Sequence, residues 1–209
     1  LARQEAAMFA MLAYAISVMY TPGPVNLLGL NAGINGKAKK STGFFIGVGT
    51  AMLLMLLLFG WLGSVFIQGK TLLAISATGT LYILYLSFKI ARSTPQKNDL
   101  DAIYRPLRFK EGLLMQLLNP KGIVATLPIA TIQLPAMHIE GPGLVMVALL
   151  IGVLATGAPG SYALLGSVMG KAIRDHSLLR LINIILALLL ALTGLVIGYE
   201  YVVLPLLDS

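Results

Sequence analysis

Thr21-Pro22-Gly23-Pro24-Val25-Asn26 interrupts Ala6–Asn35, an apolar run otherwise long enough to cross a bilayer. Two prolines remove two backbone donors and crowd the carbonyls before them, and Gly23 lowers the cost of leaving helical geometry. The interruption lies about 15 residues into the run, which at about 1.5 Å per residue is near the middle of the hydrocarbon. In lipid each freed carbonyl costs several kcal/mol, so unwound backbone survives only against protein or a wet cavity. A plain membrane anchor has no use for such a segment. The stretch reads as a helix broken for a purpose, inside a protein built around it.

The rest of the chain agrees. Of its 209 residues 57% are hydrophobic and only 11% charged, against about a quarter charged in soluble domains. Further apolar segments follow at Thr42–Gln68, Thr71–Ala91, Phe109–Leu134, Pro142–Met169 and Leu178–Leu207, each long enough for about 30 Å of hydrocarbon. The expected fold is therefore an all-α integral membrane protein of six transmembrane helices, a single transmembrane domain over residues 1–209. Basic residues cluster in alternate loops: Lys37, Lys39 and Lys40; then Arg92, Lys97, Arg105, Arg108 and Lys110; then Lys171, Arg174 and Arg180. The positive-inside rule places these loops in the cytoplasm and both termini outside it. The net charge of +7 is thus a topology signal, and no nucleic-acid partner is expected. A cleaved signal peptide at Ala6–Tyr20 is rejected, because its loss would remove a span and break the alternation.

Two further interruptions are legible. Asn119-Pro120-Lys121 falls roughly ten residues into the fourth span, and Gly157-Ala158-Pro159-Gly160 about midway along the fifth. Cutting near Pro106 gives pseudo-repeats of about 1–105 and 106–209. Three spans per half make the second half enter from the opposite side, so the halves are expected to be inverted. Helices 1 and 4, the first of each half, are both broken, with helix 5 as a third candidate. Paired interruptions in inverted halves mark a transporter's binding site near the midplane. The expected site is Thr21, Pro22, Gly23, Pro24, Asn26, Asn119, Pro120, Lys121 and Pro159. Lys121 is the one charge placed deep in a span, where an ammonium requires a cavity or a partner. Asn26 and Asn119 offer both donors and acceptors, and the half-helix starting at Pro24 points its positive end at the break.

Thr21–Leu28, the run Asn31-Ala32-Gly33-Ile34-Asn35-Gly36, the glycines Gly43, Gly47 and Gly49, and Leu118-Asn119-Pro120-Lys121 together resemble the lysine exporter (LysE/RhtB-type) superfamily over essentially the whole chain. Phe88–Pro135 and Asn183–Leu190 look most like its cysteine/O-acetylserine exporter branch. The resemblance implies a multi-pass protein of the bacterial cytoplasmic membrane. It implies export of a small neutral amino acid or derivative, driven by the proton motive force, with lysine, homoserine or threonine-like substrates as the alternative. Members often carry an acid early in the second span; Ile46–Met52 has none here.

The acids all fall in loops or near span ends, and there is no cysteine. That excludes thiolate chemistry and gives no acid–base pair or metal cluster at membrane depth, so no catalytic residues, metal or cofactor are expected. The partners expected are the substrate and the lipid bilayer, with homo-oligomers left open. A passive channel shares broken helices and stays as the rival class.

Overall fold

The computed structural model describes residues 2–62, 70–92, 105–172 and 176–207. Their regular secondary structure is all helical, without a strand among them. Helix α1 spans Ala2–Tyr20 and α2 Pro24–Ile34; α3 is Thr42–Leu62 and α4 Lys70–Ala91. Then come α5 (Phe109–Leu117), α6 (Pro120–Pro128), a π-helical turn at Ile129–Gln133, and α7 (Leu134–Ala136). The chain closes with α8 (Pro142–Ala172), α9 (His176–Gly198), a second π-helical turn and α10 (Leu204–Leu207). The segments Lys39–Leu62, Leu73–Ala91, Pro142–Ala172 and Arg180–Leu207 are each long and apolar enough to cross a membrane. The bent pairs Gln4–Tyr20 with Pro24–Ile34 and Phe109–Leu117 with Pro120–Ala136 bring the spans to six when each pair is one crossing. This is an all-helical, multi-pass membrane protein. Its surface fits that solvent: Leu181, Leu188, Leu192 and Leu195 line the outside of α9 at 52–65% exposure, a stripe that water would not tolerate.

The bends are 56° in the first pair and 68° in the second. The expected interruption of the fifth span is corrected by the structure: α8 runs without a break through Gly157–Gly160, with Pro159 inside it. One proline removes one hydrogen bond, and here α2 lies so close that a Cβ on Gly29 would collide with the Pro159 carbonyl. Tight packing holds the helix where Pro22, Gly23 and Pro24 acting together release theirs.

With lipid outside, burial of apolar surface does not drive helices together; close packing and polar contacts do. Helix α2 lies parallel to α8, with Gly33 against Ala163 and Gly166 against Leu30. Helix α5 lies parallel to α3, with Gly47 against Phe109 and Gly112 against Phe44. The spacings Gly43-x-x-x-Gly47 and Gly166-x-x-x-Gly170 thus serve packing within one molecule. Helices α3 and α8 pack antiparallel, with Gly49 against Thr156 and Gly60 against Leu144, and α4 pairs with α9, where Ser87 Oγ donates to the Ala187 carbonyl at 2.7 Å. A buried amide cluster ties α2 to α9: Asn31 and Asn35 both donate to Asn183 Oδ1 at 2.9 Å, and Asn183 donates to Asn35 Oδ1 at 3.0 Å.

Candidate functional site

At the first break the chain leaves α1 at Tyr20 and passes through Gly23 in an extended conformation (φ −162°, ψ 175°). Pro24 then opens α2 at its first helical position, where a missing N–H costs nothing. The carbonyls α1 leaves behind are accounted for. Asn26 Nδ2 donates back to Met19 O at 2.8 Å and Thr21 O at 2.9 Å. The Tyr162 hydroxyl of α8 donates to Tyr20 O at 2.8 Å, and the Thr21 hydroxyl donates to Val18 O at 2.6 Å. The N-terminus of α2 receives no side-chain cap, so its first N–H groups and positive dipole end stay available.

The second break is built the other way round. Asn119 is the N-cap of α6, and its Oδ1 accepts from the Lys121 N–H at 3.2 Å. Ile123 N then donates to Asn119 O at 3.1 Å, starting the new helix. Lys121, half-buried, does not turn back on the carbonyls freed at Pro120. Its Nζ crosses to the other break and donates to Thr21 Oγ1 at 2.9 Å.

Between the breaks lies a cavity of about 60 Å³, room for roughly four to six waters at 10–15 Å³ each. Thr21, Gly23, Pro24 and Asn26 line it from the first break, Asn119 and Lys121 from the second, and Pro159 from α8. Seven of the nine residues expected at a site therefore share one space. Pro22 is exposed and Pro120 is buried as the first residue of α6; neither lines the cavity. Both act on the backbone instead.

Pro159 has no N–H to offer the Ala155 carbonyl one turn earlier, and Ala155 and Ala158 form the wall beside it. Among the described residues Lys121 is the one ionisable group on the wall, and none of them brings a carboxylate to it. Such a site can hold an anion at Lys121 and the α2 N-terminus, and a small cation on neutral oxygens. Asn26 Oδ1 receives no hydrogen bond among the described residues and faces that role.

Three contributors escaped the sequence reading. Tyr162, which caps α1, had no local signal. Met52 lines the cavity as one apolar residue among many. Gln116 also lines it while 6% exposed; a carboxamide in an apolar segment was a signal, but one shared with every helix-bridging amide. Among the described residues no group of His, Asp and Glu is placed to hold a metal ion.

A family model for the LysE type translocator matches residues 16–201. The cysteine/O-acetylserine efflux proteins of Escherichia coli (strain K12) and Shigella sonnei (strain Ss046) are each 28% identical over 189 residues, covering 89% of this chain and 94% of theirs. No solved structure matches.

Proposed function

The chain belongs to the LysE type translocator family, and on that premise we propose that it exports a small neutral amino acid or derivative, of the cysteine/O-acetylserine kind, across the bacterial cytoplasmic membrane, driven by the proton motive force. It is a transporter, not an enzyme. The observation that carries the substrate class is the cavity wall: one ammonium, no carboxylate, and two helix breaks meeting there. A zwitterion fits it. The substrate carboxylate replaces Thr21 Oγ1 at Lys121 and takes N–H groups at the start of α2. The substrate ammonium goes to Asn26 Oδ1 and the Ala155 carbonyl. A lysine side chain would bring a second positive charge to a wall with no acid to meet it, which weighs against a cationic substrate.

Alternating access follows from inverted halves, residues 1–105 and 106–209. The packing supports this reading by its reciprocity. The first span of each half lies parallel to the second span of the other (α2 on α8, α5 on α3), the second spans pack on each other (α3 on α8), and the third spans pair (α4 on α9). Rocking one half against the other would open the shared cavity first to one side and then to the other. The chain would be oriented with both termini outside the cytoplasm.

The deciding experiment is efflux from proteoliposomes preloaded with labelled serine, cysteine, O-acetylserine, homoserine, threonine and lysine, with and without an imposed pH gradient. Gradient-stimulated efflux of the small neutral substrates is expected, with lysine near background. Trans-stimulated exchange separates a carrier from a channel, which cannot show it. For orientation, a cysteine at Lys39 should resist an impermeant thiol reagent in intact cells and react once the cells are opened. Reaction in intact cells overturns the topology.

A further inference from the structure

Gln116 sits in the last turn of α5, on the cavity wall, at 6% exposure. A carboxamide offers two N–H donors and an oxygen that accepts twice, and buried amides normally use them. The other amides around the cavity do: Asn26 and Asn119 both bond backbone. Gln116 does not. Its Nε2 has one partner, Met52 Sδ at 3.8 Å, a weak acceptor, and among the described residues nothing donates to its oxygen. It bridges no pair of helices through strong bonds, so helix glue does not account for it.

Two further features point the same way. A Cβ on Gly122 would lie 2.7 Å from Gln116 Nε2 and 3.4 Å from its Cδ, so the bare backbone at 122 is what leaves the amide its place. Residues 116 and 121 would stand about 140° apart around a straight helix. The 68° bend between them brings Gln116 and Lys121 to one cavity.

Building on the export reading, we infer that Gln116 is the specificity residue that reads the substrate side chain. The substrate class is an amino acid whose short neutral side chain carries a hydrogen-bonding group: hydroxyl, thiol, ester or amide. Such a group gives the amide the partner that Met52 supplies weakly. A purely aliphatic side chain leaves the buried amide unpaired, and a site built that way rejects the apolar isostere far more strongly than an apolar pocket rejects one extra methylene.

The test uses the full chain in proteoliposomes and counterflow of serine and cysteine, kept reduced, against 2-aminobutyrate, which puts a methyl where they have hydroxyl or thiol. The native protein should prefer the polar members by at least about tenfold. In Gln116→Met, matched in length but unable to donate, that preference should shrink to within about twofold. Gly122→Ala leaves Gln116 in the chain but pushes its amide aside, and should shift the ratio the same way; it carries the test alone should the first variant not insert. An unchanged ratio in a folded variant overturns the assignment while leaving export standing. A native protein that moves none of the panel overturns the export reading itself.

Discussion

The two helix breaks look alike in sequence, each a proline within two residues of an asparagine, yet they satisfy their backbones from opposite sides. In the first, Asn26 reaches back to the carbonyls of the helix just ended and leaves the next helix N-terminus uncapped. In the second, Asn119 reaches forward and caps the helix about to begin. What each break leaves unspent is what it has for a ligand. The first offers N–H groups and a positive dipole end; the second offers the Lys121 ammonium, which already crosses to Thr21. The breaks form complementary walls of one cavity rather than two copies of one device.

The largest effect that would break this comparison is loss of the first break. Pro22→Ala with Pro24→Ala restores the donors of a continuous helix, so the protein should insert and melt no lower than native. Efflux should fall to that of empty liposomes. Near-native efflux by the well-inserted variant makes these prolines mere kinks.

Next in size is Lys121→Met. If the ammonium holds the substrate carboxylate, affinity falls about 10- to 100-fold, the range for a charge-assisted bond. Stability should barely change, since the variant loses one hydrogen bond to a hydroxyl. Titration calorimetry and melting in the same detergent separate the two, and a large drop in melting temperature with intact binding assigns Lys121 a structural role.

Thr21→Val sharpens the comparison with the opposite sign. Removing the hydroxyl frees Lys121 from its internal partner, and substrate affinity should rise about 2- to 10-fold. Weaker binding instead would mean that Thr21 positions the ammonium.

The smallest effect compares the asparagines themselves. Asn26→Ala strands two carbonyls and Asn119→Ala one amide. Both should destabilise by about 1 kcal/mol or less per lost bond, with Asn26→Ala the worse of the two. The reverse order in thermal melts contradicts the division of labour.

Much of this was readable beforehand. Helix breakers inside apolar runs marked both breaks, because their effect is local: a missing N–H is missing in any fold. Pro159 shows the limit. Whether a single proline interrupts a helix depends on what lies against it, and the backbone of α2 seated at Gly29 is invisible in the sequence around residue 159. Gln116 was hidden for a similar reason: a lone amide becomes a candidate contact only when a bend turns it toward the lysine five residues on.

The bond from Lys121 to Thr21 bears on the part of the proposed cycle that follows release. An exporter must return without its substrate, and a bare ammonium left inside a closed protein would slow that return. Thr21 would stand in for the departed cargo at Lys121, so that releasing substrate need not strand a charge.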